Sequence, residues 1–304
     1  MLGILATGAC HDDTPSLEQD WVDRLETRSA ELTRDWQRWL RRDVDAYQVP
    51  EREMAKTFER IAHVLEAIPD PRIHFVDVGC AQGDYLRWYV QPMLQKPLFS
   101  VGIDPIDWPE RAPYDRFVAK AVTNRDEGQY DFYLYGDGDL ACSSLARMVA
   151  DHVTHDPTQA DQKFYHPAAI ETAQGKTEVE AVHLATIIED AGLADAVVHF
   201  LKIDIQGTDF AALLSAKQHL CNVFFVQLET ICTDAPGGRT LYEDQTVFAA
   251  ERPVLEELGF RLFNVAAFPA GPEADVTFVN TALLTASYPP AAAATTPSAT
   301  PGTR

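Results

Sequence analysis

The residues best suited to chemistry lie where short apolar runs end in carboxylates and glycines. The run from Phe75 reads Phe-Val-Asp77-Val-Gly79-Cys-Ala81-Gln-Gly83. A buried strand that feeds such a turn and then a helix is where open α/β sheets bind ligands, beyond the carboxyl ends of their strands. Gly79 and Gly83 remove side chains where the backbone must pass close to a ligand. A dinucleotide site asks for glycine at three places in this turn. Here Ala81 holds the second and Asp84 the third. Asp84 would set a carboxylate against a pyrophosphate at the helix N-terminus, an unfavourable pairing. A cationic, phosphate-free nucleoside meets no such conflict, because Asp77 and Asp84 face its positive groups directly or through water. S-adenosylmethionine has that chemistry and NAD does not.

Three further carboxylates end strand-like runs. Asp104 closes Val101-Gly-Ile-Asp104. A carboxylate about 20 positions after a glycine turn, at the end of the second strand, accepts both hydroxyls of a ribose; a turn aspartate before Pro105 is the competing reading. Lys202 and Asp204 alternate in Leu201-Lys-Ile-Asp204-Ile-Gln-Gly207 and so share one face of a strand. They form either an ion pair or a functional pair, with Asp204 against the cofactor's amino group or an acceptor hydroxyl. Glu229 ends Val226-Gln-Leu-Glu229 and brings another carboxylate to the same rim, where it orients or deprotonates an acceptor or is simply solvated. Asp204 and Glu229 are therefore the candidate catalytic residues.

Positioning these groups requires a sheet. Apolar runs at Ile73–Val78, Leu98–Ile103, 118–122, 197–205 and 223–228 predict five strands, and 261–265 with 276–283 a closing antiparallel pair. Helical periodicity between them, at 85–94, 210–220 and 247–258, implies a mostly parallel sheet covered on both faces. Ahead of it, Trp21, Leu25, Leu32, Trp36, Leu40 and Val44 fall on one helical face, and Met54, Phe58, Ile61, Leu65 and Ile68 on another that starts at Pro50. The expected organisation is a flexible segment 1–15, a helical cap over 16–69 that packs on the sheet or forms a homodimer contact, a catalytic domain over 70–285 and a disordered Ala/Thr/Pro tail over 286–304. Residues 148–177 are polar and too long for a plain connection, which marks them as an insertion.

Charge bounds the partners. The chain has 304 residues with 25 Lys+Arg against 46 Asp+Glu, a formal charge of −21. Such a field disfavours nucleic acid and anionic membranes and suits a neutral or cationic small molecule. The 5 cysteines show no CxxC spacing, so neither a zinc site nor a disulfide framework is expected. No basic leader or membrane-length apolar run is read, and the expectation is a cytoplasmic protein. His152, His155 and His166 interleave with Asp151, Asp156 and Asp161, but on a polar loop without a supporting element, and no metal site is assigned. One of these histidines is a candidate general base if the loop folds over the site. His199 lies inside an apolar strand and reads as a satisfied core residue.

The turn Asp77-x-Gly79-x-x-x-Gly83 resembles motif I of class I methyltransferases. Together with Ala121-Val-Thr-Asn124, Ser143-Ser-Leu145, the segment Leu201 to Gly207 and Glu229, it is similar to the FkbM family, over about residues 73–284. The resemblance implies a seven-stranded Rossmann-like sheet, S-adenosylmethionine as cofactor and methyl transfer to hydroxyls of sugars, polyketides and related metabolites. It implies that Asp77, Gly79, Ala81 and Gly83 line the methionine end of the cofactor, that Asp104 holds the ribose, and that Ser143 and Ser144 contact cofactor or acceptor. The sequence departs from the family at Gln206, where the family usually has Glu, and at Asp104, where Glu is frequent. The competing functions are a non-catalytic cofactor-binding module and an NAD-dependent oxidoreductase.

Overall fold

The computed structural model describes residues 50–81, 90–108, 114–135, 140, 142–149, 153–154, 164–165, 175–231, 240–267 and 273–287. The first expected helix, the segment 1–15, the end of the tail, Gly83, Asp84 and the histidines at 152, 155 and 166 lie outside them.

The strands expected from apolar runs form one mixed α/β sheet. In chain order its members are β1 (Ile73–Val78), β2 (Leu98–Ile103) and β3 (Arg116–Val118), then β9 (Val198–Ile203), β10 (Val223–Ile231), β11 (Phe260–Ala267) and β12 (Glu273–Asn280). They order as β11-β12-β10-β9-β1-β2-β3. The pairs β3–β2, β2–β1, β1–β9 and β9–β10 are parallel, and β12 runs antiparallel to both neighbours. Five helices are described: α1 (Pro50–Ala67), α2 (Leu184–Asp190), α3 (Asp209–Leu214), α4 (Phe248–Glu257) and α5 (Thr281–Ser287). One core cluster joins α2, α3 and α4 to one sheet face; another joins α1 and α5 to the other. The second face carries a ladder of Phe75, Phe200 and Phe225 in direct register. Each ring is buried, and each contributes roughly 1.5–3 kcal/mol.

Several boundaries differ from the sequence expectation. The run 118–122 is not one strand. Lys120 N–H bonds back to the Val118 carbonyl at 3.0 Å, which turns the chain off the main sheet after β3. It continues as β4 (Ala121–Val122) in a separate sheet with β5 (Gly128–Leu134) and β8 (Gly175–Val182), ordered β4-β8-β5. The region expected as a polar insertion lies between β5 and β8 and contains a short parallel pair, β6 (Val153–Thr154) and β7 (Phe164–Tyr165). The last strand ends at Asn280, whose side chain accepts from the N–H of Ala282, and α5 follows. The helix expected over 210–220 stops at Leu214 and gives way to a 3-10 turn at Lys217–Asn222. The described part of the helix expected at 85–94 is likewise a 3-10 turn, Gln91–Met93.

His199 is the satisfied core residue expected. Its Nδ1 accepts the backbone N–H of His74 at 3.0 Å, which leaves Nε2 to donate to Asp70 at 3.0 Å. Burial lowers its pKa, consistent with a neutral ring that ties the start of β1 to β9. Among the described residues no helix is long and apolar enough to cross a membrane.

Candidate active site

One face of the sheet changes character along its strands. The phenylalanine ladder occupies its middle. Two residues further toward the carboxyl ends, the register aligns Asp77, Lys202, Gln227, Thr277 and Asn264 across β1, β9, β10, β12 and β11. Two residues further again stand Glu229 and Asp275, paired across β10 and β12. Period-two alternation keeps all of these on one face, so an apolar floor becomes a polar row and then an acidic rim.

The polar row is closed by charge pairing. Asp77 is fully buried. Its Oδ1 lies 3.4 Å from Lys202 Nζ, and its Oδ2 accepts from the Tyr114 hydroxyl at 2.7 Å. Lys202 also reaches Asp204 at 3.3 Å. The Lys202–Asp204 ion pair, one of the two readings of this alternation, is thus present, with Asp77 as its third member. Burial raises the Asp77 pKa and Lys202 opposes that rise; the Lys202 ammonium is held charged by Asp77 and Asp204 against its own desolvation. Gly102 makes this possible, because a Cβ there would lie 2.5 Å from the Tyr114 ring. The Asp77 carboxyl is thus engaged on one oxygen by Lys202 and on the other by Tyr114.

The glycine turn sits beside this row. Gly79 has φ +75°, and a Cβ there would fall 1.7 Å from the Asp204 carbonyl oxygen. The close approach of the chain after β1 to the chain after β9, its parallel neighbour, thus requires glycine here. The N–H groups of Gly79 and Cys80 both donate to the Ile103 carbonyl, at 2.8 and 3.1 Å. Ala81, at φ +41°, donates its N–H to Asp104 Oδ2 at 3.0 Å, and Ile106 N–H donates to Oδ1 at 2.8 Å. Trp108 Nε1 is buried in the same surroundings without a well-formed hydrogen bond. The structure thus brings Asp104 onto the glycine turn.

The rim is built by Gln206. Its Nε2 donates to Asp204 Oδ1 at 3.1 Å and to Glu229 Oε2 at 2.6 Å. Its Oε1 faces the Tyr242 hydroxyl at 2.9 Å, and that hydroxyl shares its one proton with the Cys142 carbonyl, also at 2.9 Å. Asp204 and Glu229 are therefore neighbours, as the strand ends implied. The two serines are placed behind them. Ser144 Oγ donates to the Gln206 carbonyl at 2.6 Å, while Ser143 Oγ exchanges hydrogen bonds with the backbone of Tyr135. Both hydroxyls are engaged with backbone, and that of Ser144 holds the Gln206 loop.

Sequence reasoning missed Tyr114, Gln227, Tyr242, Glu273 and Asp275. The last two had a legible signal, the alternation Glu273-Ala-Asp275-Val-Thr277, lost when the strand was started at Val276. Glu273 and Asp275 bring the rim close to Glu229, Asp204 and Asp209. Burial and mutual repulsion push Asp209 and Glu273 up to about 8 and Asp275 to about 7, and hold Glu229 well above the carboxylate range.

These shifts have a sign. The folded rim keeps protons that the unfolded chain releases near pH 4, so the unfolded state binds fewer protons between about pH 4 and pH 8. Stability falls as pH rises through that window and levels off above it. The thermal midpoint is expected to drop between about pH 5 and pH 8, with His199 opposing weakly, and Glu273→Gln is expected to flatten the slope. Thermal unfolding followed across that range checks both; a midpoint that climbs in both proteins would refute the burial of these acids.

The fold is a mixed α/β one with a large, mostly parallel central sheet, and the glycine turn after β1, the acid after β2 and the polar groups stand at the strands' carboxyl ends, the edge at which open α/β sheets bind ligands. The chain belongs to the FkbM methyltransferase family: the methyltransferase FkbM domain matches residues 62–262, a span that contains every candidate residue named from the sequence. Among solved structures the chain is similar to the mitomycin 7-O-methyltransferase MmcR, at 11% identity and a TM-score of 0.29, over 73% of this chain and 53% of that one. It thus spans about half the length of that enzyme, and a likeness at this level says nothing of substrate. No curated protein matches the sequence.

Proposed function

We propose that the chain is an S-adenosylmethionine-dependent O-methyltransferase acting on a hydroxyl of a small molecule, built on a doubly wound, Rossmann-like sheet. The observation that carries this reading is Asp104: 8% exposed, at the end of β2, and hydrogen-bonded to the turn residue Ala81. Each of its oxygens accepts one backbone N–H and keeps a lone pair for a ribose hydroxyl. Trp108 Nε1, buried beside it, faces the same carboxyl. The acid-rich rim suits a cationic cofactor and opposes a pyrophosphate, which favours this group over NAD.

Asp104 would hold the ribose and the turn at Gly79 to Ala81 would pass beneath it. S-adenosylmethionine bound there would supply an activated methyl group on a neutral thioether leaving group. The protein's own task is then alignment and proton removal. In this reading Asp204 and Glu229, joined by Gln206, would take the proton of an acceptor hydroxyl. A carboxyl held up by burial is the stronger proton acceptor once ionised, which suits Glu229 to that role. Lys202 fixes Asp204 from below.

Calorimetric titration with S-adenosylhomocysteine, alongside NAD, tests the reading. The former alone is expected to bind, and Asp104→Ala is expected to weaken it by about 10- to 100-fold through loss of charged hydrogen bonds. Binding of NAD alone would overturn the proposal. Cofactor binding without turnover across a panel of hydroxylated acceptors would favour the binding-module reading.

A further inference from the structure

The loop after β9 is held from more sides than its length requires. Gln206 is a non-glycine residue at φ +61°, a conformation that persists where surroundings over-determine it. Its carbonyl accepts from Ser144 Oγ at 2.6 Å. The flanking N–H groups of Ile205 and Gly207 both donate to the Asp209 carboxylate at 2.9 Å. Gly207, at φ +97°, lies flat against Tyr242, where a Cβ would meet the ring at 2.6 Å. Tyr242 is 1% exposed, the first among the largest fully buried side chains, and burial holds its hydroxyl protonated.

In this frame the Gln206 Oε1 faces the Tyr242 hydroxyl at 2.9 Å, and the amide nitrogen, on the other side, faces Asp204 and Glu229. Two carboxyl groups brought this close repel unless a donor stands between them. A carboxyl at this position supplies that donor only while it is protonated. An amide supplies two hydrogens at every pH. Gln206 is therefore suited to keeping the pair aligned irrespective of its charge.

We propose that Gln206 is the positioning residue of this site: clamped by Tyr242, its amide holds Asp204 and Glu229 as one hydrogen-bonded pair facing the cofactor's positive centre. This rests on the reading that the two carboxyls flank the methyl-transfer site. The charged and titratable groups around the pair are Lys202 and Asp77 from β9 and β1, Asp209 from α3, Glu273 and Asp275 from β12, and Tyr242 and Cys142 from the loops behind. Only Lys202 among these is a cation, and it is already shared between Asp77 and Asp204.

The test uses the two forms of the cofactor, which differ by one positive charge. Wild type and Gln206→Glu are titrated with S-adenosylmethionine and with S-adenosylhomocysteine, in buffers of different ionisation heat, so that protons released on binding are counted. In wild type the charged form is expected to release more protons than the neutral one, because a cation favours ionised carboxyls. In Gln206→Glu the third carboxyl must carry a proton to mimic the amide. The excess released with the charged form is expected to grow by about one proton at neutral pH. Tyr242→Phe keeps the ring against Gly207 and frees the amide. It is expected to weaken the charged form several-fold while leaving the neutral form unchanged, and it decides the matter if Gln206→Glu does not fold. Proton counts and relative affinities equal to wild type in the folded variants would overturn the positioning role alone. Binding of neither ligand by wild type would overturn the function and this inference with it.

Discussion

Gly79→Ala is expected to cost about 2–5 kcal/mol of folding free energy and to abolish cofactor binding. Two independent terms add. A left-handed backbone at φ +75° penalises any Cβ by about 1–2 kcal/mol. The new methyl also falls 1.7 Å from the Asp204 carbonyl oxygen and 2.7 Å from its carbon. Those are backbone atoms of the neighbouring strand end, tied back by the Asp204 N–H on the Val78 carbonyl at 3.0 Å, so they cannot swing aside as a side chain would. Forced overpacking of that kind typically adds about 1–3 kcal/mol. Relief requires β1 and β9 to part at the end where Asp77, Lys202 and Asp204 meet. The protein supplies its own control in Gly259, at φ +87° with open space around its missing Cβ. Gly259→Ala bears the backbone term alone and is expected to lose only about 1–2 kcal/mol. Urea unfolding of both variants separates the terms; equal losses would mean that the approach of Gly79 to the Asp204 backbone is not as tight as described.

The same residue shows how much was legible in the sequence. The central strands of the sheet are short, mostly apolar runs buried on both faces, and Val198–Ile203 or 223–228 announce themselves. The acids at their ends followed from period-two alternation, and Asp77, Asp104, Asp204 and Glu229 do converge on one edge. What the pattern could not carry is the identity of their partners. Gly79 was read against a ligand, yet its neighbour is a carbonyl 125 residues along the chain. Tyr114 reaches Asp77 across a separation of 37 residues, and Tyr242 reaches Cys142 across 100. No local periodicity marks such contacts. The small sheet escaped for a different reason. The first half of β8 is exposed and β5 alternates weakly, so neither buries enough apolar surface to write a strand signature.

The acid rim and the sheet core are linked through one lysine. The ladder Phe75-Phe200-Phe225 ends in Asp77, Lys202 and Gln227, so the first polar row is roofed by the site and floored by the core. Charge in that row must be balanced there, since solvent does not reach Asp77. The rim above it is supplied with acids in excess, and its raised pKa values are the consequence: with one cation shared between two carboxylates, protons take the place of further counter-ions. Function and stability are thus opposed at this edge, as they are wherever ionisable groups are gathered for chemistry.

Lys202→Met should expose that opposition. The substitution keeps the length of the stem and removes the charge between Asp77 and Asp204. Breaking a buried ion pair from one side costs about 3–5 kcal/mol, because the remaining charge loses its partner in a desolvated place. Asp77 has the Tyr114 hydroxyl as its other partner, which does not neutralise it. The carboxyl is expected to take up a proton instead, and the cost becomes pH-dependent. With the lysine gone its folded pKa rises further above the unfolded value near 4, so the folded variant binds the extra proton and is favoured by acid. The deficit relative to wild type is therefore expected to be largest above the raised pKa and to shrink as pH falls toward about 5. Adding Asp77→Asn removes the orphaned charge, and the double variant is expected to recover most of the loss at pH 8 and little at pH 5. Chemical unfolding of the two single variants and the double variant at both pH values completes the cycle. A Lys202→Met deficit that stays the same from about pH 5 to pH 8 would mean that Asp77 keeps its charge without the lysine, and that the polar row is held by its hydrogen bonds rather than by its ion pair.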